Sequence, residues 1–355
     1  MQSPENGPDQ ASGHSPACCA PPSPPPAEVS IGSPSAPPAA STPAVPAGAR
    51  STRGQVRIPG GTFTMGDGFG EGYPTDGETP AHPVTLAPYL LDATAVTNAQ
   101  FATFVKATGH VTEAEEIGVS AVFHLAVRAA RADVVGTAAG TPWWTVVRGA
   151  DWRHPAGPLS DAGDLANHPV VHVTWRDAQA YCRWAGKRLP TEAEWEHAAR
   201  GGLDGARFAW GDELTPRGRW QCNIWQGDFP RTNTLEDGHL TTAPVRTFAP
   251  NGRGLFNTAG NVWEWCQDRF SPTTYADRVT AAAGSPAVDP LAPGSDDPGP
   301  RSGGEVARVM RGGSYLCHDS YCHRYRVAAR SSNTAESASA NIGFRCANDS
   351  GDTAR

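Results

Sequence analysis

The first aromatic residue of this chain is Phe63. Everything before Gln55 lacks Phe, Trp and Tyr and carries 13 of the 33 prolines. Such a stretch has too little apolar surface to offset the entropy lost on ordering. The expectation is a disordered Pro-rich tail over 1–54, one folded domain over 55–349 and a disordered end over 350–355. All 11 tryptophans fall between Trp143 and Trp265, so large rigid side chains fix an irregular core there. With 39 glycines and only 18% charged residues, that core must be held largely by loops.

Charge narrows the partners. A formal charge of -7 and a pI near 5.9 provide no basic footprint for nucleic acid, while an acidic surface tolerates a cationic peptide. No apolar run approaches the length of a membrane helix, and no Lys/Arg-then-apolar leader opens the sequence. These features predict a cytoplasmic protein with no membrane partner. Eight cysteines are too few for a disulfide scaffold, and in a reducing compartment those in use are ligands or catalysts.

Local patterns predict an α+β chain with modest regular structure. "QVRIPGGTFTMG" alternates apolar and small residues and predicts a strand, hairpin or bulge over 56–65. Thr97 with Gln100 forms a capping box, Phe101, Phe104 and Val105 share a face, and Gly109 stops that helix. Thr174/Asp177 and Thr191/Glu194 open two more helices, Gly186 and Gly201 stop them, and Pro190 separates them. The stretches "RFAWGD", "APVRTF", "GNVWEWCQD", "ARVMRGGSY" and "NIGFRCA" read as short strands.

The segment "GGSYLCHDSYCHRYR" places Cys317 and Cys322 five positions apart, each followed by a histidine. Taken alone, the pair is a local disulfide or inert pair, part of a structural zinc site, or a reactive centre. Zinc asks for four ligands, and beyond His318 and His323 no second close cysteine or histidine pair is apparent.

Several segments together resemble the formylglycine-generating enzymes, also known as sulfatase-modifying factors. The resemblance covers nearly all of 55–348, carried by "IPGGTFTMG", "GKRLPTEAEWE", "NIWQGDFPRTNTLEDG", "PNGRGLFNTAGNVWEWCQD", "RGGSYLCHDSYCHRYRVAARS" and "NIGFRCA". It implies an irregular, loop-rich fold related to C-type-lectin-like folds. It also implies an oxidoreductase that converts a cysteine in a C-x-P-x-R stretch of an unfolded sulfatase to formylglycine with O2. Cys317 and Cys322 match the family's two ligands for a single Cu(I), and soft thiolates are the ligand type that selects that ion. Ser314, His318 and Tyr321 match residues lining the pocket. Arg330 and Asn341 match residues that shape it and hold substrate, and Trp263 matches a tryptophan beside the metal.

The same resemblance implies two structural calcium ions. The first set is Asn223, the Ile224 carbonyl, Asp237 and the His239 carbonyl. The second is Asn257, the Gly260 and Val262 carbonyls and Glu264. Both are hard oxygen sets of the kind calcium takes. Cys182 and Cys346 match one disulfide of secreted members, while Ala198 and Val327 stand where the other pair would be. Cys222 and Cys266 read as buried free thiols. Two other functions compete with the oxidase. A non-catalytic lectin-like binding module would not need the Cys317/Cys322 pair. An iron-dependent sulfoxide synthase needs a helical domain with a histidine triad ahead of the fold, which 1–54 cannot supply.

Overall fold

The computed structural model describes residues 52–297 and 306–351. Of the expected tail over 1–54 and end over 350–355, residues 1–51 and 352–355 lie outside the described residues. Residues 52–54 already belong to the fold. Gln55 N–H donates to Thr52 O (3.0 Å) and Ala93 N–H to Gly54 O (2.9 Å).

The helices form where their caps place them. α1 (Asn98–Thr108) opens on the reciprocal Thr97/Gln100 box and closes on Gly109 in the left-handed region. α2 (Glu113–Ile117) uses a Thr112/Glu115 box of the same kind, a signal present in the sequence and passed over above. α3 (Trp175–Trp184) and α4 (Glu192–Ala199) open on Thr174/Asp177 and Thr191/Glu194. Gly186 and Gly201 follow them at positive φ, as the stop signals require. α5 (Thr274–Ala282) has no side-chain cap and was not foreseen.

The strands depart further from expectation. Gln55–Ile58 and Gly61–Met65 are both extended, yet they enter different sheets and do not pair with each other. The chain crosses between them at Pro59-Gly60, where a Cβ on Gly60 would collide with Leu86 O. "RFAWGD" is a tight turn bridged from Phe208 to Gly211, and "APVRTF" runs as loop. A three-stranded sheet of Val119–Phe123, Thr141–Arg148 and Val134–Ala138 was missed.

One sheet positions everything that follows. Its strands run in the order Arg330–Thr334, Ala307–Arg311, Trp263–Arg269, Ile342–Gly343, antiparallel except for the last pair. Val309 packs under Trp195 and Ala199 of α4, while Met310 joins the main cluster with Trp263 and Trp265. Covering both faces explains why "VWEW" and "RVMR" do not alternate apolar with exposed polar residues. Arg311 and Arg330 are register partners, so 312–329 leaves and re-enters the sheet at one point. The cysteine pair lies on that loop. Among the described residues no helix is long and apolar enough to cross a membrane.

Candidate active site

The loop starts with Gly312-Gly313 at φ 92° and 73°. A Cβ on Gly313 would lie 2.8 Å from Arg324 O and 3.2 Å from Cys317 Sγ, so only glycine lets the two limbs approach this closely. Turns then set the cysteines: Cys317 N–H donates to Ser314 O (2.9 Å) and Cys322 N–H to His318 O (2.6 Å). Both side chains are fully buried, with their sulfurs 3.3 Å apart. That is well beyond the length of about 2.05 Å expected for a bonded pair, and none of the six described cysteines is bonded.

Each sulfur receives a polar donor. Ser314 N–H points at Cys317 Sγ (3.3 Å), and Arg324 Nη1 at Cys322 Sγ (3.6 Å). Among the described residues no group of three or more His, Cys, Asp or Glu gathers to hold a metal. Two soft sulfurs in an otherwise apolar cluster form a donor set suited to a soft monovalent ion, and one lacking the four ligands of structural zinc.

The expected pocket residues divide by placement. Ser314 is fully buried, and its Oγ accepts from Asn341 Nδ2 (3.0 Å), whose Oδ1 accepts from Ser339 Oγ (2.7 Å). Asn341, itself buried, therefore orients the serine hydroxyl. Tyr321 is half-buried, stacked on Phe229 (centroids 4.1 Å) and edge-on to Trp143 (5.5 Å). His318 turns away from this wall, its Nδ1 2.8 Å from Ser320 Oγ and 3.2 Å from Asp319 Oδ1. Trp263 is fully buried in the cluster that holds both sulfurs, and its indole N–H finds no acceptor among the described residues.

Arg330 lies at the base of the loop. It is fully buried, its Nε and Nη2 bind Glu192 (2.7 and 2.9 Å), and Nη1 binds the Gly77 and Ser271 carbonyls (3.2 and 3.1 Å). So enclosed, it anchors the base of the loop.

Several neighbours escaped the sequence reading. The glycine-rich segment 66–78 clasps the loop: Asp76 pairs with Arg324, Glu78 with Arg326 (2.8 Å), and Tyr73 Oη with His323 Nδ1 (2.9 Å). The one available signal was spacing, since Asp76/Glu78 and Arg324/Arg326 are both i, i+2 pairs of opposite charge.

The residues of the two oxygen sets are placed as follows. Asn223 Nδ2 donates to Thr241 O (2.8 Å), leaving Oδ1 buried without a donor among the described residues. The Asp237 carboxylate accepts from Ile224 N–H (3.1 Å) and His239 N–H (2.9 Å), while burial pushes its carboxyl up. The Ile224 carbonyl accepts from Gln226 Nε2. Asn257 Oδ1 is likewise a buried oxygen without a donor, on a left-handed residue (φ 50°). Glu264 is buried and already accepts from Arg345 Nε (2.6 Å), Arg345 Nη2 (2.7 Å) and Trp195 Nε1 (2.7 Å). Cys182 and Cys346 stand 3.5 Å apart, unbonded. Cys222 and Cys266 are buried free thiols, both pushed up by burial.

Comparison with known proteins agrees with this arrangement. The family description "Sulfatase-modifying factor enzyme 1-like domain" matches residues 41–350. The formylglycine-generating enzyme of Streptomyces coelicolor is 68% identical over 313 residues, covering 88% of this chain and 95% of that protein. That of Thermomonospora curvata is 56% identical, covering 84% and 94%. PvdO from Pseudomonas aeruginosa has a similar structure at 22% identity, with a TM-score of 0.56 over 83% of this chain and 94% of that one, a likeness of fold alone. A loop-rich α+β fold, the double-glycine cysteine loop and matches over nearly the whole length together mean that this chain belongs to the sulfatase-modifying factor family, that of the formylglycine-generating enzymes.

Proposed function

We propose that this chain oxidises a cysteine in a C-x-P-x-R stretch of an unfolded sulfatase polypeptide to formylglycine with O2, using a single Cu(I) held by Cys317 and Cys322; the cysteine gives up two electrons and its sulfur leaves as sulfide, and two further electrons from an external thiol complete the reduction of O2 to water. The observation that carries the reading is the sulfur pair, buried, unbonded and 3.3 Å apart. When bound, copper supplies the redox chemistry by which O2 becomes an oxidant. The protein's own groups do the rest. Ser314 N–H and Arg324 hold the sulfurs, and Asn341 fixes the Ser314 hydroxyl next to them. The Tyr321–Phe229–Trp143 wall offers a half-open apolar face on which an extended peptide packs. An acidic chain accepts the arginine of the motif without repulsion.

The test incubates Cu(I)-loaded protein with a C-x-P-x-R peptide and an added thiol reductant in air and reads the peptide by mass spectrometry. Loss of sulfur and gain of an aldehyde, in proportion to copper loaded, is the expected result. Peptide that binds yet keeps its mass would favour the non-catalytic lectin-like module.

Two structural calcium ions complete the reading. Buried Asn223 Oδ1 and Asn257 Oδ1 lack donors among the described residues, and an unsatisfied buried oxygen is costly unless a cation or donor meets it. Asp237 gives the first set a carboxylate. In the second, Arg345 neutralises much of Glu264, so weaker binding is expected there. Calcium at a hundred times the dissociation constant stabilises by about 2.7 kcal/mol per site. Rigorous chelation should therefore lower the melting temperature, and Asp237→Ala should remove the larger share of that response. An identical melting curve with and without calcium would count against both ions.

A further inference from the structure

Cys322 has a partner two residues further along the same loop that the expected pocket residues do not include. Arg324 is fully buried, and Asp76 grips it side-on: one carboxylate oxygen meets Nε and the other meets Nη2 (3.1 Å). That grip uses two corners of the planar guanidinium and turns the third, Nη1, onto Cys322 Sγ at 3.6 Å. The far face is fixed as well, since the guanidinium carbon lies 4.3 Å over the Tyr73 ring. Asp76 has a rigid origin of its own. It ends the short turn Pro74–Asp76, whose next residue, Gly77, is left-handed and packed so closely on Pro272 that no side chain fits. Charge, plane and distance are thus all set before any metal arrives.

Resting on the two-thiolate reading above, we propose that Arg324, oriented by Asp76, is the positioning residue for the Cys322 sulfur. It holds the thiolate in place and offsets the cost of a buried anion, without touching substrate. The backbone N–H of Ser314 meets Cys317 Sγ, and the guanidinium of Arg324 meets Cys322 Sγ. Outer partners of metal ligands typically contribute about 10- to 100-fold in affinity.

The experiment measures Cu(I) affinity by competition with a chelator, alongside melting temperature, for wild type, Arg324→Met, Arg324→Lys, Asp76→Asn and Glu78→Gln. Glu78 makes the neighbouring clasp to Arg326, so Glu78→Gln loosens segment 66–78 while leaving Arg324 in place. Arg324→Met and Asp76→Asn are expected to bind Cu(I) about 10- to 100-fold more weakly. Arg324→Lys, which keeps the charge, should recover part of the loss, and it serves if the methionine variant does not fold. Glu78→Gln should melt lower with copper affinity unchanged. If the Arg324 and Asp76 variants lose only melting temperature and keep wild-type affinity, the pair is merely a brace and the inference is overturned alone. If wild type itself takes up no Cu(I), the two-thiolate reading fails and this inference goes with it.

Discussion

Cys317→Ser and Cys322→Ser should each take the protein from about one Cu(I) per chain to none, and remove nearly all peptide oxidation, while the fold survives. The substitution is small in volume, and both sites already offer a donor to the new oxygen: Ser314 N–H at one and Arg324 at the other. A neutral hydroxyl is a hard, poor ligand for a soft ion, so one remaining thiolate cannot hold it as two do. A structural disulfide makes the opposite prediction. Losing a link across so short a loop would cost about 2 kcal/mol by chain entropy, with the melting temperature falling and activity indifferent to copper. Copper stoichiometry, melting temperature and peptide oxidation measured on the three proteins separate the two. Full copper-dependent turnover in either serine variant would mean that the ion is held elsewhere.

How much of this was visible in the sequence depends on how far apart the interacting residues are. Helix starts are local, and the boxes at Thr97, Thr174 and Thr191 lie within four residues of their partners, so they were read correctly. The box at Thr112 was equally legible and was overlooked because α2 has only five residues. Strands fared worse, because pairing is set by distant partners. "APVRTF" has the composition of a strand, but its backbone is engaged elsewhere, with Val245 N–H donating to Asn167 O (2.9 Å). The cysteine loop was legible because its glycines, turns and sulfurs are contiguous. Its supports were not, since Asp76 and Arg324 are 248 residues apart and Glu192 and Arg330 are 138 apart. Nothing local in "RVAARS" shows that Arg330 meets the buried carboxylate of Glu192.

Glu192→Gln should be the most destabilising single change in the framework, at about 3–5 kcal/mol. Glu192 is fully buried at the first turn of α4 and binds both register partners at the base of the cysteine loop: Arg330 bidentately and Arg311 Nη1 at 3.3 Å. Burial pushes its carboxyl up, but Arg330 and then Arg311 outweigh that and hold it below its ordinary value of 4.5. The glutamine amide keeps the shape and loses the charge. Arg330, itself fully enclosed, is then left as a buried cation with neutral partners, carbonyls and the Phe270 and Tyr275 rings, while Arg311 retains Glu196. Because the folded-state carboxyl is depressed, its contribution is fully present above pH 4.5 and disappears as the pH falls through the folded value, so the variant should also lose part of the acid limb of the stability curve. Urea denaturation at neutral pH measures the cost. Removing both partners as Glu192→Met/Arg330→Met should cost clearly less than the sum of the single changes, since no unpaired charge remains. A loss below about 1 kcal/mol for Glu192→Gln, typical of exposed pairs, would show that Arg311 and Arg330 are neutralised by other groups, and that the loop is not held shut at its base by this carboxylate.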